Sequence, residues 1–307
     1  MTRRDPLRVV SAGTAALAGA GSGRAWTAGT DAVPSIITQK IPSSGETLPV
    51  IGLGTWQVFD VDPESAERRP LDEVLQAFDD LGGKVVDTSP MYGRSEEVVG
   101  EIAAALNLRG RLFLATKVWT SGKLAGVRQM EESMRRLRVD RIDLMQVHNL
   151  VDASTHLDTL RGWKREGRIR YVGVTHYHPA GHDAVARIMA SQSLDFVQIN
   201  YSLGEREAES HLLPLAMERG VAVIANRPFA GGDLFRRLRS KPLPEWAAEI
   251  NCESWAQVLL KFVISNPAIT CAIPATCKVA HLRENMKAGS GPLPDEKLRT
   301  RILAEAL

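Results

Sequence analysis

The chain is 307 residues long, with 44% hydrophobic and 24% charged residues, the profile of a globular protein with room for one large domain or two ordinary ones. Thirty-eight Lys and Arg against 36 Asp and Glu leave a net charge of +2, which excludes the basic footprint of a nucleic-acid-binding protein. The three cysteines, Cys252, Cys271 and Cys277, form no CxxC pair, so a disulfide framework, a zinc knuckle and a thioredoxin-like motif are all excluded. No internal repeat of about 20–50 residues points to a solenoid or propeller.

At the N-terminus, Arg3, Arg4 and Arg8 precede an uncharged stretch over residues 9–23 that is rich in Ala, Gly, Ser and Thr. A basic segment before a short apolar one is a secretion-signal pattern. The stretch falls short of the roughly 18–20 apolar residues that span a bilayer, so no stable membrane insertion is expected. Arg3-Arg4 resembles a bacterial twin-arginine signal, with Pro6 where that motif usually has Phe. Gly23 and Ala25 offer a cleavage site. The expected division is a signal peptide over 1–25, a linker over 26–35 and one folded domain over 36–307, with export to the periplasm by the twin-arginine machinery. The alternative is a cytoplasmic protein with a basic N-terminal segment.

The folded part opens with two short apolar runs, 35–39 and 47–51, around Pro42-Ser43-Ser44-Gly45, which reads as a β-hairpin. Strand candidates follow at 51–54, 84–87, 112–117, 142–148, 171–175, 196–200, 221–225 and 269–274. They are continuous β-branched runs, the pattern of buried parallel strands. Amphipathic segments at 95–106, 124–137, 156–166, 180–191, 210–219 and 279–287 alternate with them, and a last one covers 295–307. Eight βα units in this length predict a (β/α)8 TIM barrel in the α/β class, with the hairpin as an N-terminal addition. A doubly wound dinucleotide fold is disfavoured: Gly52-Leu53-Gly54-Thr55-Trp56 has no third glycine and no helix opening there.

In such a barrel the chemistry gathers at the carboxyl ends of the strands. Asp87 closes the second strand, Lys117 the third and His148 the fourth, and Tyr92 follows Asp87 by five residues. A lysine beside a tyrosine favours the phenolate and is expected to lower its pKa from about 10, and an aspartate beside the lysine keeps it charged. Such a tyrosine serves as a general acid or base, and a neutral imidazole orients a carbonyl oxygen. There is no nucleophile elbow, HExxH or P-loop.

At these residues the chain resembles the aldo-keto reductase family, through residues 51–56, 86–93 (Val-Asp-Thr-Ser-Pro-Met-Tyr-Gly), 115–119, 143–148, 198–202, 273–276 and Glu284-Asn285. The resemblance implies a barrel whose bottom is closed by the hairpin and which binds NADP(H) without a Rossmann domain. It implies reduction of a small-molecule carbonyl, aldehyde or ketone, by hydride transfer from the nicotinamide. Tyr92 would be the general acid, Lys117 and Asp87 would tune it, and His148 would position the carbonyl. Cofactor contacts would come from Gly54, Thr55 and Trp56, from Thr175, His176 and Gln198 at the carboxamide, and from Tyr201 stacked on the nicotinamide. The loop 226–232 with Arg227, Pro228 and Phe229 would wrap the pyrophosphate. Thr276 and Lys278 would meet the 2′-phosphate, and Asn285 the adenine.

The chain departs from the family pattern at His176 (usually Asn), at Arg227-Pro228-Phe229 (usually Ser-Pro-Leu) and at Ala275 (often basic). Two other readings compete. A metal hydrolase would use His176, His178 and His182, although no acidic ligand stands beside them. A cofactor-binding redox sensor or auxiliary subunit would turn over poorly, which the intact Asp-Tyr-Lys-His set disfavours. No metal is expected.

Overall fold

The structure, a computed structural model, describes residues 35–307. The signal segment and nearly all of the linker lie outside the described residues.

Strands β1 (Thr38–Lys40) and β2 (Thr47–Pro49) pair antiparallel, with Gln39 opposite Leu48. Eight parallel strands follow: β3 (Leu53–Gly54), β4 (Val85–Asp87), β5 (Phe113–Val118), β6 (Ile142–His148), β7 (Ile169–His176), β8 (Phe196–Asn200), β9 (Ala222–Asn226) and β10 (Ile269–Ala272). They neighbour one another in sequence order from β3 to β10. The row closes on itself through parallel bridges between Ile51 and Ala272 and between Gly54 and Ala275. The expected (β/α)8 barrel is the observed fold, and its eight strands fall where the apolar runs placed them.

Helices α1 (Arg68–Asp80), α2 (Ser95–Ala105), α3 (Lys123–Leu137), α4 (Ala153–Arg165), α5 (His182–Ser191) and α6 (Leu212–Arg219) follow β3 to β8 in turn. After β9 come α7 (Asp233–Leu238) and α8 (Trp255–Ile264), and after β10 come α9 (Val279–Lys287) and α10 (Glu296–Ala306). Helices α1, α7 and α8 were not anticipated. The segment of α8 reads WAQVLLKFVI, and Ala256 to Ile264 are all buried, so it lacks the polar face that periodicity needs. Within it the ammonium of Lys261, wholly buried, donates to the carbonyls of Ile250, Ser290 and Pro292 at 2.7, 2.6 and 2.8 Å.

Strand alternation sorts the side chains into two cores. Val85, Phe113, Leu144, Tyr171, Phe196, Ala222 and Cys271 point inward and pack with Ile41 and Leu48 of the hairpin, which plugs the amino end of the barrel. Val86, Leu114, Met145, Val172, Val197 and Val223, the next residue on each of six strands, point outward against the helices. Counting on by two from the inward set reaches Asp87, Lys117, His148, Thr175, Gln198 and Asn226 at the carboxyl ends. The alternation that packs the core thus also delivers the polar residues to one mouth.

Candidate active site

Asp87 and Lys117 are buried to within 2% of complete at the barrel mouth. The Lys117 ammonium donates to Asp87 Oδ2 at 2.7 Å and to the Thr88 carbonyl at 2.8 Å. The other carboxylate oxygen accepts from Gln198 Nε2 at 2.7 Å and from Gln146 Nε2 at 3.4 Å. Thr55 leans on the same strand, its hydroxyl donating to the Asp87 carbonyl at 3.0 Å. Burial alone pulls the Lys117 ammonium toward neutrality, but the Asp87 carboxylate and Tyr92 outweigh it and hold the lysine above its ordinary pKa.

Tyr92 sits over this pair, with Lys117 Nζ 4.8 Å from its ring centre. Its loop is held by Gly93, whose φ of +57° suits glycine and whose missing side chain leaves room for the Asp60 carboxylate. Asp60 accepts the Arg94 amide at 2.9 Å and so closes the turn before α2. The expectation that Lys117 lowers the tyrosine pKa below 10 is corrected here. The lysine does act in that direction, but burial is the larger effect and Asp87 adds to it, so the phenol titrates above its usual value.

His148 meets the Tyr92 ring edge-on at 6.0 Å and the Trp119 ring at 6.3 Å. Its Nδ1 lies 3.2 Å from the hydroxyl of Ser89. Burial, then the Lys117 charge, push its pKa down to about 3, so the imidazole is neutral at physiological pH. Trp56, Met91 and Trp119 are exposed, and Trp119 stands beside His148.

Beside the four, the Thr175 hydroxyl donates to Gln198 Oε1 at 3.2 Å, and Asn226 Nδ2 reaches the same oxygen at 3.4 Å. Asn226 was anticipated only as the start of a loop; its inward position after Ala222 and Ile224 was the signal that identifies it. Ser89, Gln146 and Thr88 were likewise missed, because their roles depend on neighbours from other strands.

Tyr201 is a correction. It shares the outward parity of Val197 and Ile199, is fully buried, packs on Phe262 at 6.5 Å and donates its hydroxyl to Glu209 at 2.5 Å. No face of its ring is open to a ligand in this arrangement. His176 also points away from Gln198. Its ring lies over Gly181, where a Cβ would come within 2.3 Å, and its Nδ1 is 3.0 Å from the His178 carbonyl. His182 is bonded instead to Asn200 at 2.9 Å, so the three histidines face different partners. Among the described residues no cluster of three His, Cys, Asp or Glu side chains suits a metal ion.

In the loop after β9, Arg227 pairs with Glu205 at 3.3 Å, Pro228 follows it, and Phe229 packs on Phe235 at 4.7 Å. The backbone at Arg227, Ala230, Gly231 and Gly232 has positive φ, giving a tight irregular turn. After β10, near the Gly54–Ala275 bridge, the Thr276 hydroxyl accepts the Lys278 amide at 3.1 Å and turns the chain into α9. Lys278 is exposed there, and Asn285 is buried about two helical turns further on.

The sequence profile of the Aldo/keto reductase family matches residues 50–301. The chain is 32% identical to methylglyoxal reductase YeaE of Escherichia coli over 254 residues, which cover 80% of this chain and 87% of that protein. The fold is similar to an aldo/keto reductase from Klebsiella pneumoniae solved with NADP and acetate, at a TM-score of 0.72 and 28% identity, covering 85% of this chain and 93% of that one. A second Klebsiella pneumoniae aldo-keto reductase, solved with NADPH, gives 0.71 and 27%, covering 88% and 96%. This chain belongs to the aldo/keto reductase family.

Proposed function

We propose that the protein is an NADP(H)-dependent oxidoreductase that reduces a small aldehyde or ketone to its alcohol, with Tyr92 as the proton donor. The observation that carries this reading is the placement of Tyr92 over a buried Lys117–Asp87 pair and against a neutral His148. The similar Klebsiella structures hold NADP and NADPH, and the relative from Escherichia coli is named for reducing methylglyoxal.

The residues present fit a nicotinamide cofactor. Asn226 Oδ1 is buried with no hydrogen-bond partner, next to the Thr175–Gln198 pair, and so offers an acceptor for a carboxamide. Arg227 and the turn 226–232 suit a pyrophosphate, and Thr276 and Lys278 a 2′-phosphate. When bound, the cofactor supplies the hydride, and the protein supplies geometry and electrostatics.

The raised pKa keeps the Tyr92 phenol protonated at neutral pH, ready to donate as the substrate oxygen gains charge. The Lys117 ammonium stabilises the phenolate left behind, and it stays charged because Asp87 holds it. His148 orients the carbonyl oxygen as a neutral group. Trp119, exposed and 6.3 Å from His148, offers an apolar wall beside the carbonyl position.

The test is NADPH oxidation with a panel of small aldehydes, for the wild type and for Tyr92→Phe. The variant is expected to keep NADPH binding and to lose about 10²–10⁴ in kcat, the usual worth of general acid catalysis. Near wild-type kcat removes Tyr92 from this role, and a wild type that oxidises no NADPH across the panel overturns the reading.

A further inference from the structure

Ser89 lies between Asp87 and Tyr92, wholly buried, with no role in the chemistry above. Its hydroxyl accepts the Met91 amide at 3.4 Å and lies 3.2 Å from His148 Nδ1. A hydroxyl has one proton to give and two lone pairs to receive. The amide takes one lone pair, and the one acceptor bonded to this hydroxyl among the described residues is His148 Nδ1. If Nδ1 carried the imidazole proton, the Ser89 proton would be buried without an acceptor, an arrangement that costs the full desolvation of the group. The imidazole is neutral, so it has a single proton to place. No protein group is bonded to Nε2 among the described residues, which leaves that nitrogen available to a ligand.

We propose that Ser89 is a positioning residue whose hydroxyl donates to His148 Nδ1, holds the ring in the Nε2–H tautomer, and thereby presents an N–H donor to the substrate carbonyl. The tautomer stands on the protein's own contacts, and its consequence for turnover rests on the carbonyl-reductase reading. Asp87 and Lys117 set the charge at Tyr92, whereas Ser89 sets which nitrogen of His148 is the donor. With the other tautomer, a lone pair would face the carbonyl oxygen and repel it.

The test is nitrogen NMR of the full chain labelled on its histidine rings, with the His148 signals identified by their loss in His148→Gln. The wild type is expected to show His148 protonated at Nε2 without any substrate. Ser89→Ala should shift His148 toward a mixture of tautomers and lower kcat/KM for an aldehyde about tenfold, the factor for one hydrogen bond, with NADPH affinity unchanged. Ser89→Thr, which keeps the hydroxyl, should restore the wild-type tautomer. A wild-type spectrum with the proton on Nδ1, or an Ala variant with an unchanged spectrum, overturns the proposal. If the Ala variant does not fold, the wild-type spectrum alone decides. Failure of the carbonyl-reductase reading shows separately, as absent turnover in a wild type whose His148 is still protonated at Nε2.

Discussion

Gln198 donates to Asp87 Oδ1 at 2.7 Å from the opposite side of the barrel, since β8 and β4 stand four places apart in the ring of eight. The bond spans the mouth and ties the side chain that would face a nicotinamide carboxamide to the carboxylate that neutralises Lys117. With Lys117 on its other oxygen, Asp87 is the junction of the site.

Asp87→Asn is expected to destabilise the fold by about 3–5 kcal/mol, because it leaves the Lys117 ammonium buried without its counter-charge. Urea denaturation measures this. The double variant Asp87→Asn with Lys117→Met should be more stable than Asp87→Asn alone, since it removes the stranded charge. A double variant no more stable than the single one would show that the charge pair is not the cause.

Stability should fall in acid through His148. Its folded pKa, about 3, lies below the ordinary value of 6.5, so the unfolded chain takes up a proton that the folded chain refuses. The contribution is fully present above pH 6.5 and is lost as pH falls from there toward 3. The slope from this one group is at most roughly 1.4 kcal/mol per pH unit. Urea midpoints for wild type and His148→Gln should therefore converge or cross as the pH is lowered from 7 to about 4. Parallel curves would show that His148 does not titrate in this window.

Lys117 and Tyr92 act at the other end of the scale. Both pKa values are raised in the folded state, so their stabilising contributions are present below the unfolded values, near 10, and are lost as pH rises through the folded ones. Tyr92→Phe should lose stability less steeply than wild type above pH 10. Thermal midpoints across the alkaline range check the slope.

Lys278→Ala should weaken NADPH binding roughly tenfold and leave NADH binding unchanged, if its ammonium meets the 2′-phosphate beside Thr276. Fluorescence titration with the two cofactors measures both. Equal losses for both would remove Lys278 from that contact.

Export through Arg3-Arg4 is a proposal that rests on the N-terminal sequence. Changing both arginines to Lys should hold an uncleaved precursor in the cytoplasm, and Pro6→Phe should raise export. Cell fractionation with N-terminal sequencing measures this; wild-type protein found wholly in the cytoplasm with its first residues intact would end the export reading.

What the sequence determined by itself is set by short-range physics. Short, largely apolar runs at 142–148 and 196–200 read as buried strands, and Asp87, Lys117 and His148 at strand ends have to share one mouth once the strands run parallel. Alternation by twos was legible too, and it would have sent Tyr201 outward with Val197 and Ile199 and brought Asn226 inward with Ala222 and Ile224. Only the tertiary structure decided matters that depend on distance and desolvation. Helix α8 is apolar on every side because other elements cover it, so no periodicity announces it. The Tyr92 phenol is held above its usual pKa because burial exceeds the pull of Lys117, a balance that requires knowing how much water each group has lost. The bond between Ser89 and His148, 59 positions apart, exists because β4 and β6 bring their ends to one rim, and no local pattern encodes it.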